Sequence, residues 1–202
     1  MKRLFILLIT IFMMFSISAC SNNTTKDEVE EVVENNQPQD NTTSEEKELV
    51  VYFSATGTTE NVAQMIANIT NADIYEIIAV DEYTSEDLNW NDSNSRTTIE
   101  QNDPSVRPEI ASEKIALDDY NTIYIGYPIW WGEEPRIMDS FVESYNFDGK
   151  TMIPFCTSGS SGIGRSGKNL EENAGTGIWL EGKRFGSNVS EADLKSWIEG
   201  IR

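Results

Sequence analysis

Ser54-Ala-Thr56-Gly57-Thr58-Thr59 gathers four hydroxyls around one glycine, between an apolar run and an amphipathic one. A strand ending in such a loop and leading into a helix presents free backbone N–H groups and the positive end of the helix dipole, which together favour an anion. Gly57 lets the backbone approach closely. No Lys or Arg is adjacent, so a phosphate would rest on neutral donors; the plain alternative is a strand-to-helix turn with a Thr N-cap. A second stretch, Tyr127-Pro128-Ile129-Trp130-Trp131-Gly132, places two tryptophans in a loop. They could cover a flat apolar ligand by offset stacking, with one of the two expected to serve as a core plug. A third, Thr157-Ser158-Gly159-Ser160-Ser161-Gly162-Ile163-Gly164, could rim a pocket with backbone N–H groups. Gly162 to Lys168 has the spacing of a nucleotide-binding G-x-x-x-x-G-K, but Asn169 stands where Ser or Thr is required. Taken together, the three stretches describe a phosphate at the first, a ring system under the second, and edge contacts from the third.

The elements that must position these loops are legible from periodicity. Residues 48–54 (ELVVYFS) form an apolar β-rich run, followed by a helical stripe at Val62, Met65, Ile66 and Ile69. Further strands are expected over residues 73–78, 122–127, 151–157 and 177–182. Helices are expected from Pro135 through the stripe Met138, Phe141, Val142 and Tyr145, over residues 165–173, and after Ser190, with Asp193 in the capping-box position. Residues 80–119 are polar and irregular, contain Pro104 and Pro108, and hold at most a poor helix over 93–101. Strands alternating with helices predict an α/β fold: a doubly wound parallel sheet of five strands with helices on both faces. All three loops then fall at strand carboxyl ends, where such sheets bind ligands.

Composition excludes several chemistries. The chain has no histidine, which removes a Ser-His-Asp triad and any His-containing zinc site. Its net charge of −19 is repelled by nucleic acid and by anionic lipid headgroups, so a soluble partner is expected to present a basic face. Only two cysteines occur, Cys20 and Cys156. Cys156 reads as a small core residue of the fourth strand rather than a redox thiol.

The N-terminus carries Met1-Lys-Arg, an apolar run over residues 4–17, and Ser-Ala-Cys20, the pattern of an export signal; an uncleaved short anchor is the alternative. The exit resembles a lipoprotein lipobox, which implies cleavage before Cys20 and a lipid on its thiol. Residues 21–47 are acidic and lack aromatics, as a tether would. The expected organisation is therefore a signal over 1–20, a tether over 21–47 and a folded domain over 48–202. The expected location is the outer face of the cytoplasmic membrane, with the membrane touched only through the lipid.

The chain resembles the flavodoxins. Ser54-Ala-Thr56-Gly57-Thr58-Thr59 fits their T/S-x-T-G-x-T phosphate loop, and Gly126-Tyr-Pro-Ile-Trp-Trp-Gly132, Pro135, Phe141, Gly149-Lys150 and Pro154-Phe-Cys-Thr-Ser-Gly159 follow in order. The resemblance implies strand order 2-1-3-4-5 and non-covalent FMN. By it, Ser54, Thr56, Gly57, Thr58 and Thr59 would hold the phosphate. Pro128, Ile129, Trp130, Trp131 and Gly132 would flank the ring, with Thr157, Ser158, Gly159, Ser160 and Gly162 at its edge. Glu133 and Glu134 would add negative charge near the ring, and Gly132 could turn its peptide N–H toward it. The implied function is electron transfer to a basic-faced redox partner. The alternatives are an NAD(P)H-dependent flavin or quinone reductase of the same fold, against which the lack of a separate dinucleotide fingerprint weighs, and a flavin-free binding lipoprotein.

Overall fold

The computed structural model describes residues 47–202. The signal segment, Cys20 and the tether up to residue 46 lie outside the described residues. Within them, no helix is long and apolar enough to cross a membrane.

The elements run β1 (Lys47–Tyr52), α1 (Thr58–Thr70), β2 (Asp73–Glu76), α2 (Arg96–Asn102), β3 (Tyr120–Pro128), α3 (Arg136–Glu143), β4 (Thr151–Thr157), α4 (Ser166–Ala174), β5 (Ile178–Trp179), β6 (Lys183–Phe185) and α5 (Glu191–Ile201). Strand order is β2-β1-β3-β4-β5, and every pairing between named strands is parallel. Lys47, expected to close the tether, already pairs with Tyr120.

Successive residues of a strand point to opposite faces, which divides the core in two. Leu49, Val51, Ile123, Ile125 and Met152 pack with Ile137, Met138, Phe141 and Val142 of α3 and Leu170 of α4. Val50, Tyr52, Tyr124, Ile153 and Phe155 pack with Val62, Ala63 and Ile66 of α1 and Leu194, Trp197 and Ile198 of α5. Both faces are thus covered, which is why β1, β3 and β4 read as nearly unbroken apolar runs. The closest packing is at Gly126 of β3. A Cβ there would run into the Phe155 ring on β4.

The fifth strand is corrected. Residues 177–182 do not form one strand; the edge position is shared by β5 and β6, both paired with β4. The cause is Pro154. Ile178 and Leu180 donate to the carbonyls of Lys150 and Met152 (2.8 and 2.9 Å), so the even-numbered residues of β4 face this edge. Pro154 is one of them and has no N–H to offer. Three residues, Leu180, Glu181 and Gly182, pass two, Ile153 and Pro154, as a bulge. Gly182 is required there, because a Cβ would lie 2.9 Å from the Pro154 carbonyl oxygen.

Candidate functional site

The loop after β1 opens the site. Gly57 caps α1 with φ 79°, ψ −7°, a left-handed conformation, and no side chain caps the helix. The Thr N-cap is therefore not what forms. Backbone N–H groups from Ala55 to Thr59 find no acceptor among the described residues. The Ser54 hydroxyl is buried without a hydrogen-bond partner. An orphaned buried hydroxyl costs about 1–3 kcal/mol, so its position beside a row of free donors marks a place built for an acceptor group. The Thr59 hydroxyl has turned inward instead, 2.8 Å from that of Thr157. That bond ties the first loop to the third at the carboxyl end of β4.

The loop after β3 is a two-residue hairpin turn. Trp130 and Glu133 exchange both backbone hydrogen bonds at 3.0 Å, and Trp131 (φ 49°) and Gly132 (φ 88°) occupy the turn. Positive φ at both positions defines the primed turn type. For glycine it is free, whereas for a tryptophan it is strained and calls for a reason. The two tryptophans separate as expected. Trp130 is the plug, edge-on to Phe53 (5.7 Å between centroids) and Tyr83 (5.2 Å). Trp131 is displayed, 47% exposed.

Beside these loops lies a cavity of about 410 Å³, lined by Thr56, Leu88, Trp90, Thr97, Ile129, Trp130 and Trp131. It joins the first and second loops at the carboxyl ends of β1 and β3, where strand order reverses. Two larger hollows of about 450 Å³ flank α3 and contain none of the first-loop residues. Position relative to the free donors and the displayed tryptophan, not size, identifies the relevant one. Ser54 faces a neighbouring hollow with Phe53, Glu76, Ile77, Glu82 and Tyr83. Of the third loop, Thr157 reaches the site through Thr59 and through its carbonyl, which accepts from Ile129 N–H at 3.0 Å. Ser158, Gly159, Ser160 and Gly162 do not line the cavity; Gly159, Ser160 and Gly162 are exposed.

The sequence profile of the flavodoxin family matches residues 47–201. The chain belongs to the flavodoxin family. It is 42% identical to a chain assigned as a flavoprotein from Bacteroides eggerthii, with a TM-score of 0.72, covering 77% of this chain and 97% of that one. A second such chain, from Bacteroides uniformis, is 44% identical with a TM-score of 0.73, covering 76% and 98%. A flavoprotein from Lactobacillus acidophilus solved with FMN is 19% identical with a TM-score of 0.58, covering 76% and 99%, and shares the fold. No curated protein matches the chain.

Within this flavodoxin framework the acidic pair after the turn is corrected. Glu133 and Glu134 are not a bare acidic pair at the cavity: neither lines it, and both face Arg136, at 2.8 and 3.8 Å. Several site residues escaped the sequence. Leu88 and Trp90 come from the connection between β2 and α2, and Thr97 from the first turn of α2, where spacing carries no signal; a lone tryptophan in a polar stretch was the only cue. Arg184 on β6 donates to the Ser158 and Gly159 carbonyls and, from Nε, to the Ser158 hydroxyl at 3.0 Å. It holds the third loop closed. Lys168 and Asn169 build no nucleotide loop; Lys168 pairs with Glu171 and Asn169 with Glu134. Burial pushes the Cys156 thiol up to about 12, as suits a core residue.

Proposed function

We propose that this flavodoxin-family chain binds FMN and carries electrons outside the cytoplasmic membrane, held there by a lipid on Cys20. The observation that carries the cofactor reading is the partnerless, buried Ser54 hydroxyl next to the free N–H groups of residues 55–59. That cradle offers only neutral donors and a helix dipole, which suits a phosphate monoester. The fit is supported by the adjoining cavity, whose walls are aromatic and apolar around Trp131 and Trp90. FMN solved in the Lactobacillus acidophilus relative agrees in kind.

Bound FMN would supply one- and two-electron transfer; the protein supplies position and environment. Thr56, Gly57 and Thr58 would hold the phosphate through their N–H groups. The displayed Trp131 ring offers a stacking face, and its strained φ keeps it at the cavity mouth. Gly132, at φ 88°, can turn its peptide at little cost. A redox partner with a basic face is favoured by the charge of −19.

The test is an absorption spectrum of the chain purified without its signal, mixed with FMN and dialysed. A retained, fluorescence-quenched yellow chromophore supports the reading. A colourless protein refutes the redox function and favours a flavin-free binding lipoprotein. NAD(P)H oxidation by the yellow protein would move it to the reductase reading.

A further inference from the structure

Behind the Trp130–Glu133 turn sits an unusual charge arrangement. Arg136, almost completely buried, faces three carboxylates: Glu133 at 2.8 Å, Glu134 at 3.8 Å and Asp139 at 3.6 Å. Glu134 and Asp139 are each 1% exposed. One guanidinium cannot neutralise three carboxylates in a desolvated place. The close bond goes to Glu133, which is the exposed member and a closing residue of the turn. Glu134 is left with the long contact and one hydrogen bond, from Asn169 Nδ2 at 3.2 Å.

The same residues hold the turn. Gln101 Nε2 donates to the carbonyls of both Trp130 (3.0 Å) and Glu134 (3.2 Å). Arg136 Nη2 donates to the Gln101 carbonyl (3.1 Å) as well as to Glu133. The charge of Glu134 therefore bears on the turn through the guanidinium: Nη1 of Arg136 faces Glu134 and Asp139, and a stronger pull there would shift Nη2 from Glu133 and the Gln101 carbonyl.

We propose that Glu134 is a positioning residue for the site: while it holds a proton it leaves Arg136 to Glu133 and keeps the Trp130–Glu133 turn closed, and its ionisation draws Arg136 away and loosens the turn that carries Trp131. The short bond to Glu133 and the long contact to Glu134 are what a protonated Glu134 would leave. The charged and titratable groups around it are few. From α3 come Arg136 and Asp139. From α4 come Asn169, which stabilises the anion, and Glu172, which opposes it across the shared hollow. From the segment after α2 comes Arg107, already held bidentately by Glu143 (2.6 and 2.8 Å). Tyr127 of β3 is buried, neutral and bonded to Ser166. Asn173 serves Asp139, not Glu134. Burial, the largest influence, pushes the Glu134 carboxyl up to about 7, which puts the transition at neutral pH.

The flavin consequence rests on the proposed FMN reading; the turn itself does not. The experiment is therefore run twice on the full chain. First, without FMN, tryptophan emission is followed from pH 5.5 to 8.5. The expected result is a one-proton transition near pH 7 that is absent in Glu134→Gln and kept, at a shifted midpoint, in Glu134→Asp. Asn169→Ala, which removes the bond to the anion, should move the midpoint to higher pH. A flat wild-type profile, a transition unchanged in Glu134→Gln, or a midpoint unmoved in Asn169→Ala overturns the proposal. Second, FMN affinity is measured at pH 6 and pH 8.5. The wild type should bind about fivefold more weakly at the higher pH, relative to Glu134→Gln at the same two values. Equal pH dependence in both proteins overturns the link to the site. Failure of any chain to bind FMN overturns the FMN reading and leaves the emission profile to decide the turn.

Discussion

At Ser54 a hydroxyl is buried with nothing to bond, beside N–H groups that also lack acceptors. That combination costs stability unless an acceptor arrives. Ser54→Ala should therefore leave the unliganded protein as stable as the wild type or about 1 kcal/mol more so, while weakening FMN by about five- to tenfold. Chemical denaturation without ligand and an FMN titration read the two halves separately. Equal loss in both would make Ser54 an ordinary structural residue. Cys156 makes the opposite case. It is fully buried on β4 with its thiol pushed up to about 12. A thiolate is the reactive form, so a neutral alkylating reagent at pH 7 should label Cys156 only after denaturation. Labelling of the native chain would show that β4 opens. The residue types in both places are plain in the sequence. That one hydroxyl is stranded and one thiol sealed is not, because burial depends on residues far away along the chain.

Among the elements, the helices followed from their periodicity. Val62 and Ile66 of α1 and Leu194, Trp197 and Ile198 of α5 are all buried on one face of the sheet. The Ser190 hydroxyl accepts from Asp193 N–H at 3.2 Å, as the capping box requires. The edge of the sheet behaved differently. The break between β5 and β6 answers a missing N–H at Pro154, on a neighbouring strand, so nothing within residues 177–182 announces it. Contact between strands sets the tightest constraint too. Gly126→Ala should cost about 1–3 kcal/mol by driving a methyl into the Phe155 ring, and pairing it with Phe155→Leu should recover part of that loss. A thermal melt of the three proteins decides it. If Gly126→Ala melts with the wild type, the strands are free to separate there and the core is looser than described.

For the molecule as a whole, pH acts through Glu134 in a defined direction. Its carboxyl is raised in the folded state, from 4.5 to about 7, chiefly by burial. A raised carboxyl favours the folded state while protonated. The contribution, about 3 kcal/mol in all, is full below pH 4.5 and is lost progressively as pH rises from there through about 7. Asp139, raised by burial as well, adds in the same sense. Unfolding free energy should thus fall from pH 5 to pH 8, and fall less in Glu134→Gln. Parallel slopes in urea titrations of the two proteins at those values would remove Glu134 as the cause. The net charge of −19 pulls in the same direction by self-repulsion, so the difference between slopes carries the information, not either slope alone.

The sequence by itself determined the α/β architecture, the helix faces, and the three loops at strand carboxyl ends, together with their family. These are local properties: hydrophobic period, turn residues and short motifs depend on neighbours in the chain. The tertiary structure alone decided which residues share the cavity. It brought Leu88, Trp90 and Thr97 to Trp131, set Arg184 on the third loop, and separated the roles of Trp130 and Trp131. It also turned Glu133 and Glu134 from a bare acidic pair into partners of one buried arginine. Burial and charge pairing are set by what packs alongside in three dimensions, and no spacing along the chain encodes them.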